Sequence, residues 1–425
     1  MTAFKGSVQK ARQNISTVFS ETPLQHNRFL SDKYDCNVYL KREDLTPVRS
    51  YKIRGAFNFF SKALEKGHGT AKDQQFAEQQ FVCASAGNHA QGFAYTCNHF
   101  KKRGTVFMPT TTPQQKIHKT RAFGGKYIDV KLVGDIFDEA YEAAHRFTDE
   151  EGAFMVPPFD HPDIIEGQAT IGLEIMDQLD GEPLDTLIMP TGGGGLAAGV
   201  TRYLKEASPA TDFWFVEPEG APSLKESLAA GERIKLDSVD NFVDGAAVAL
   251  IGEHNFEALK DFSADRVLLA PEDRLCATMI TMLNIEGVVL EPAGALTIDI
   301  LQSLDPESIR GKNVVCVTSG GNFDFERLPE VKERALRHAG LKKYFILRMP
   351  QRPGALKDFL FLLGDEDDIS RFEYLKKSAR NFGSILIGIE TKNPKNFDTL
   401  MEKFHENGIK FQDITNNEIL ANFLI

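Results

Sequence analysis

From Val38 to Asn322, short runs of β-branched and apolar residues alternate with stretches whose apolar positions recur at helical spacing. The short runs predict strands at Asn37–Lys41, Phe81–Ser85, Thr105–Pro109, Lys126–Val130, Thr186–Thr191, Phe213–Glu217 and Asn313–Ser319. Between them the spacing predicts helices that include Gly55–Lys66, Asn88–Phe100, Pro113–Phe123 and Asp135–Glu150. Strict alternation of this kind predicts an α/β fold of βαβ units, with parallel sheets covered by helices on both faces. It also places loops at the carboxyl ends of strands, where open α/β sheets bind ligands.

The pattern changes near Gly340. A charged helix over Glu326–Gly340 gives way to a strand at Tyr344–Arg348 and a helix opened by Pro353-Gly354 and running to Leu363. Strands at Ser370–Leu375 and Ser384–Glu390, a helix at Pro394–His405 and a strand at Ile409–Ile414 follow. The order βαββαβ predicts a small ferredoxin-like unit. The expected organisation is therefore a larger part of two α/β subdomains over residues 1–340 and a second domain over residues 341–425.

A length of 425 residues suits two or three domains, and 42% hydrophobic with 26% charged residues excludes wholesale disorder. The 49 basic and 60 acidic residues leave a net charge of −11. Such a chain is ill suited to nucleic acid or an anionic membrane. From Leu341 onward there are 13 basic and 12 acidic residues, so the negative charge belongs to the larger part. No apolar run is long enough to span a bilayer, and Met1–Asn14 does not read as a secretory signal. Five cysteines without a CxxC pair predict free, buried thiols in a reduced, cytoplasmic protein. No HExxH or histidine-rich spacing offers a metal site.

Four clusters carry chemistry. The first, Thr191-Gly192-Gly193-Gly194-Gly195-Leu196, joins a strand to a helix, and its consecutive glycines let amides encircle a phosphate. Gly192, Gly194 and Ala197 also satisfy a dinucleotide fingerprint, with Glu217 ending the next strand, so a nicotinamide-dependent oxidoreductase competes at this point. The second, Ser50-Tyr51-Lys52-Ile53-Arg54-Gly55-Ala56, sets a lysine at the start of an apolar helix, where burial lowers its pKa and frees an amine for a Schiff base or for proton abstraction. In the third, Ser85-Ala86-Gly87-Asn88-His89, helix-start amides and a hydroxyl suit a substrate carboxylate, and the Asn88 amide suits a phenolic oxygen. The fourth, Ser319-Gly320-Gly321-Asn322, turns a serine from a strand end into a glycine-lined space.

Together, and in this order, the four clusters resemble those of fold-type II pyridoxal-phosphate enzymes, and among these the biosynthetic threonine dehydratases (threonine ammonia-lyases). The resemblance runs through Ser20–Glu326, and the C-terminal unit is similar to that family's ACT-like regulatory domain. It implies that Lys52 forms the covalent link to pyridoxal 5'-phosphate and that Asn88 bonds its phenolic oxygen. Gly192, Gly193, Gly194, Gly195 and Leu196 would hold its phosphate, Ser319 would face its pyridine nitrogen, and Glu291 would lie near the ring. The implied reaction is deamination of L-threonine to 2-oxobutanoate and ammonia, the first step of isoleucine biosynthesis. L-serine is a second possible substrate, and the implied protein is a homo-oligomer, dimer or tetramer.

Serine racemases, which are similar, carry a serine where this chain has Ala86, so racemisation lacks an opposite-face acid here. Their cation site has a further acidic residue where Ala221-Pro222-Ser223 stands, so no metal is expected. The C-terminal unit implies inhibition by isoleucine opposed by valine, with amides at Arg352-Pro353-Gly354 suited to a carboxylate. Phe345, Leu347 and Phe372 would either line an effector pocket or form that domain's own core. A catabolic serine/threonine dehydratase and a non-catalytic amino-acid sensor are the other readings. The extra C-terminal unit disfavours the former, and the intact Lys52 motif disfavours the latter.

Overall fold

The apolar runs assemble as three sheets. The computed structural model describes residues 3–67, 79–375 and 381–417. The largest sheet has six strands, ordered Leu24–His26, Asn37–Arg42, Asn313–Thr318, Thr186–Pro190, Asp212–Pro218 and Val267–Ala270. All its pairings are parallel except that of the edge strand Leu24–His26 with Asn37–Arg42. A second, four-stranded sheet runs Ile128–Leu132, Gly104–Met108, Phe81–Ala84 and Phe154–Met155, all parallel. Central strands such as Thr186–Pro190 and Asn313–Thr318 are buried at every residue, which explains their continuous rather than alternating apolar pattern.

Every predicted strand of this part exists. Lys126–Val130 is displaced to Ile128–Leu132, because Gly125–Tyr127 forms a 3-10 turn first. The helix expected from Gly55 begins at Lys52. The strands Leu24–His26, Phe154–Met155 and Val267–Ala270 add to the sequence reading.

Helix Pro162–Leu179, buried along most of its length, is the spine behind the site. A Cβ on its Gly167 would lie 2.6 Å from the Arg54 carbonyl oxygen, so only glycine permits this approach to the helix Lys52–Gly67. Likewise a Cβ on Gly92 would lie 3.1 Å from the Ile53 amide nitrogen, which sets the helix Asn88–Phe100 directly against the first turn after Lys52.

Contacts divide the chain into a unit of Met1–Leu275 with Met282–Asp324 and a unit of Cys276–Thr281 with Phe325–Ile425. The helix Leu328–His338, before the expected division at Gly340, clusters with the second unit. That unit holds the third sheet, ordered Asp367–Leu375, Phe382–Thr391, Lys342–Pro350 and Lys410–Asp413, all antiparallel. With helices Ala355–Leu360 and Asn396–Glu406 this is the predicted βαββαβ order. The first of these helices is shorter than expected: Gly354, at a positive φ of 83°, sets its start at Ala355, and it ends at Leu360 instead of Leu363. Phe345 and Leu347 are fully buried with Phe359, Ile387 and Phe404, and Phe372 packs against them. Of the two uses open to these residues, the structure shows the domain core.

Candidate active site

Lys52 is placed by main-chain bonds to the end of a central strand. The Tyr51 amide donates to the Ser319 carbonyl at 3.1 Å, the Gly321 amide donates to the Arg49 carbonyl at 2.9 Å, and Ser50 bridges Gly320. The two motifs lie more than 260 positions apart, yet they form one edge. The Lys52 amine donates to the Pro158 carbonyl at 2.9 Å and has the rings of Tyr51 and Phe159 at 5.4 and 5.7 Å. Burial pushes it down to about 8, against the upward pull of Glu291. A lysine so placed is partly neutral near physiological pH.

Arg54, two residues on, anchors this turn from below. Its fully buried guanidinium donates to both oxygens of Glu43 (2.8 Å each) and of Glu174 (2.6 and 2.8 Å), and to the hydroxyls of Thr22 and Thr170. Lys41 adds a 2.7 Å bond to Glu174 and a 2.6 Å bond to the Thr22 carbonyl. Two buried cations thus face two buried carboxylates. Burial alone would raise Glu174, but Arg54 and Lys41 outweigh it and hold the carboxyl well below the usual carboxylate range.

The Ser85–His89 loop follows the strand Phe81–Ala84. Ser85 Oγ accepts the Gly87 amide at 3.2 Å, while the amides of Ala86, Asn88 and His89 donate to no acceptor among the described residues. The His89 ring turns inward, with Nε2 2.9 Å from the Val156 carbonyl, and burial, with a smaller push from Lys52, takes it down to about 3. Neutral His89 therefore carries its proton on Nε2, since a carbonyl only accepts. Ala86 is half-buried against the core and brings no hydroxyl.

The glycine loop joins the strand Thr186–Pro190 to the helix Gly195–Ala207, with Gly194 at φ 89°. A Cβ on Gly192 would lie 2.7 Å from the Ala246 carbonyl oxygen, and one on Gly193 would strike the Phe159 ring. The Gly193 carbonyl is held by Asn255 Nδ2 at 2.6 Å and by the Gly252 amide at 3.2 Å. The amides of Gly192, Gly193 and Gly194 find no acceptor among the described residues, and the buried Thr191 hydroxyl has no partner there either. This is a set of donors suited to an anion.

Ser319 is buried at the end of Asn313–Thr318 with its hydroxyl unbonded among the described residues. Glu291 sits beside it, its amide donating to the Gly320 carbonyl at 3.2 Å. Burial and Asp244 push the Glu291 carboxyl up to about 8, against the hydrogen bond from Asn88 and the charges of Lys116 and Lys119. That bond, from Asn88 Nδ2 to Glu291 Oε1, is 2.7 Å long. A Cβ on Gly245 would lie 3.7 Å from Glu291 Oε1 and 3.9 Å from Asn88 Nδ2, and its neighbour Ala246 touches Gly192. Contacts and chain neighbours therefore run in a closed ring from Lys52 through Phe159, Gly193-Gly192, Ala246-Gly245, Asn88 and Glu291 to Gly320-Ser319 and back through Tyr51. Phe159 and Ala246 escaped the sequence reading. Asp244-Gly245 was available as a turn signal, whereas Phe159 has none.

Glu217 faces elsewhere. Its buried carboxylate accepts from the amides of Leu224 (2.7 Å) and Lys225 (3.0 Å), closing the helix Ser223–Ala230. The dinucleotide reading is left without its ribose ligand.

Residues 15–320 match the family of pyridoxal-phosphate dependent enzymes, and residues 333–424 match the C-terminal regulatory domain of threonine dehydratase. The biosynthetic L-threonine dehydratase of Bacillus subtilis is 45% identical over 98% of this chain and 96% of its own length. The solved processed form of threonine deaminase isoform 2 from Solanum lycopersicum is 37% identical, with a TM-score of 0.70 over 78% of this chain and 88% of that one. Maize serine racemase is 25% identical, with a TM-score of 0.68 over 79% of this chain and 98% of that one. With nearly the whole length shared, and with the lysine, asparagine, tetraglycine and serine motifs converging on one ring, the chain belongs to the biosynthetic L-threonine dehydratases, pyridoxal-phosphate-dependent lyases with a C-terminal regulatory domain.

Proposed function

We propose that this chain deaminates L-threonine to 2-oxobutanoate and ammonia, feeding isoleucine biosynthesis, with Lys52 as its catalytic base. One observation carries the reading: a desolvated lysine amine, paired with a carbonyl rather than a carboxylate, stands within a ring of unspent hydrogen-bond donors.

The residues present fit pyridoxal phosphate. The free amides of Gly192, Gly193 and Gly194, continued by Gly195 and Leu196 at the helix start, suit its phosphate. Lys52 suits its aldehyde, the Asn88 amide its phenolic oxygen, and the uncharged Ser319 hydroxyl its pyridine nitrogen. When bound, the cofactor supplies the electron sink that makes the substrate's Cα–H acidic.

The chain's own residues do the rest. The amides of Ala86, Asn88 and His89, with the Ser85 hydroxyl, hold the substrate carboxylate. Neutral Lys52 takes the Cα proton, and its depressed pKa keeps enough of it unprotonated to act. On the opposite face Ala86 offers no proton, so elimination is favoured over racemisation. Loss of the β-hydroxyl as water leaves an enamine, which hydrolyses in solution to 2-oxobutanoate and ammonia.

The proposal extends to organisation and control. Catalysis belongs to the unit ending at Asp324, regulation to the part beyond the helix Leu328–His338, and the protein works as a cytoplasmic homo-oligomer. Isoleucine inhibits and valine opposes it. The regulatory-domain match over residues 333–424 supports this. Such coupling is reciprocal, so isoleucine weakens threonine binding and threonine weakens isoleucine binding. The test is to supply pure enzyme with L-threonine or L-serine and measure 2-oxo acid and ammonia while titrating isoleucine, then valine. Threonine turnover that isoleucine suppresses and valine restores is expected. No 2-oxobutanoate from threonine would contradict the assignment.

A further inference from the structure

We propose that Asn322 and Glu291 are positioning residues that fix which end of the Asn88 amide faces the cofactor. The inference rests on the cofactor reading above and adds to it a role for the last residue of the Ser319–Asn322 motif, which that reading leaves idle.

The orientation follows from donors and acceptors alone. Asn322 Nδ2 lies 2.8 Å from the Val48 carbonyl oxygen and 2.7 Å from Asn88 Oδ1. A backbone carbonyl only accepts, so the Asn322 atom facing Val48 must be its nitrogen. The same nitrogen touches Asn88, and both its hydrogens are then used. The Asn88 atom facing it must therefore be the oxygen, which leaves Asn88 Nδ2 toward Glu291 Oε1 at 2.7 Å. Asparagine ends are otherwise hard to tell apart, but here the backbone of Val48 settles all three side chains in sequence. One Asn88 N–H is spent on Glu291. The other is free for the phenolic oxygen, which a donor stabilises as the anion.

Neither control is dispensable by this logic. Without Asn322 the amide has only Glu291 to orient it. With an acceptor in place of Asn322, the amide turns over and offers its carbonyl oxygen to the cofactor.

Asn322→Asp tests this, because it keeps the shape and removes both donors. Cofactor affinity, measured by equilibrium titration of pyridoxal phosphate, is expected to fall roughly ten- to a hundred-fold, as for loss of a hydrogen bond to a charged group. The visible band of the bound cofactor should shift to shorter wavelength as the phenolic oxygen takes a proton. Asn322→Leu imposes no orientation and should do less harm to both readouts. An asparagine that served only to tie down the Val48 carbonyl would lower thermal stability in both variants and leave the cofactor band in place.

The double variant Asn322→Asp with Glu291→Gln reverses the relay. Asn88 can then donate to the carboxylate introduced at position 322 and accept from the amide introduced at position 291, so thermal stability should recover while the cofactor band and affinity do not. It carries the same test if the single aspartate variant does not fold. Affinity and spectrum of Asn322→Asp within about two-fold of the parent, leucine more harmful than aspartate, or a double variant that recovers stability and cofactor together would each overturn the proposal. A parent protein that binds no pyridoxal phosphate would instead overturn the cofactor reading itself.

Discussion

The two units treat buried charge in opposite ways. The larger hides Lys41, Glu43, Arg54, Glu174, Glu217 and Glu291 at no more than 5% exposure. The smaller packs Phe345, Leu347, Phe359, Ile385, Ile387, Phe397 and Phe404 around an apolar centre, with Lys342 its exception among the described residues. Burying a charge is expensive unless it is paired or neutralised. The larger unit uses both remedies: pairing holds the Arg54 network, and neutralisation is the state toward which Lys52 and Glu291 are pushed. A unit built to move a proton needs such groups. A regulatory unit does not.

The comparison breaks most visibly at Lys52. Lys52→Ala should cost at least about 10⁴-fold in threonine turnover, with far-ultraviolet dichroism unchanged. On the proposed role the group serves chemistry, and its removal relieves desolvation instead of opening a network.

Next comes Arg54→Met, which leaves Glu43 buried without its cation and Glu174 with Lys41 alone. Removing one partner of a buried pair costs about 3–5 kcal/mol, read as a lower denaturation midpoint. A midpoint like that of the parent protein would show that the network does not hold the first turn of this helix.

Glu291→Gln separates neutralisation from pairing. The folded-state carboxyl titrates at about 8, against 4.5 for the unfolded chain. Native protein therefore holds more protons between these values, and stability falls as pH rises through that window. In cofactor-free protein the substitution should raise stability by up to about 5 kcal/mol well above pH 8 and change little below pH 4.5. Melting curves at the two ends check the sign.

The smallest effect belongs to the smaller unit. Phe404→Leu removes a buried ring stacked on Phe359 at 5.8 Å and should cost about 1 kcal/mol at any pH between 5 and 9. A strong pH dependence would mean that hidden charge lies there too.

Much of this was legible in the chain because the site motifs sit where strands end, and glycine or serine at a strand end is visible locally. Asn88, Gly192–Gly195 and Ser319 announce themselves in this way, whereas Lys52 is marked only by its place at the start of an apolar helix. The strands Leu24–His26 and Phe154–Met155 do not, because two or three residues carry no period. Phe159 and Ala246 gain their roles only through contact with the glycine loop, which no local pattern encodes. The Asn322–Asn88–Glu291 relay joins positions 234 and 203 residues apart, so its members could be named from sequence but their bonds could not. The Arg54 network was missed for the same reason, although its arginine stands within the lysine motif.

The most direct test of the central claim is chemical. Purified protein, loaded with pyridoxal phosphate and reduced with borohydride, should retain a phosphopyridoxyl group through digestion, and peptide mass mapping should find it on Lys52. Addition of L-threonine before reduction should protect Lys52, since the substrate amine displaces it. A label on another lysine, or none at all in protein that turns over threonine, would contradict the account.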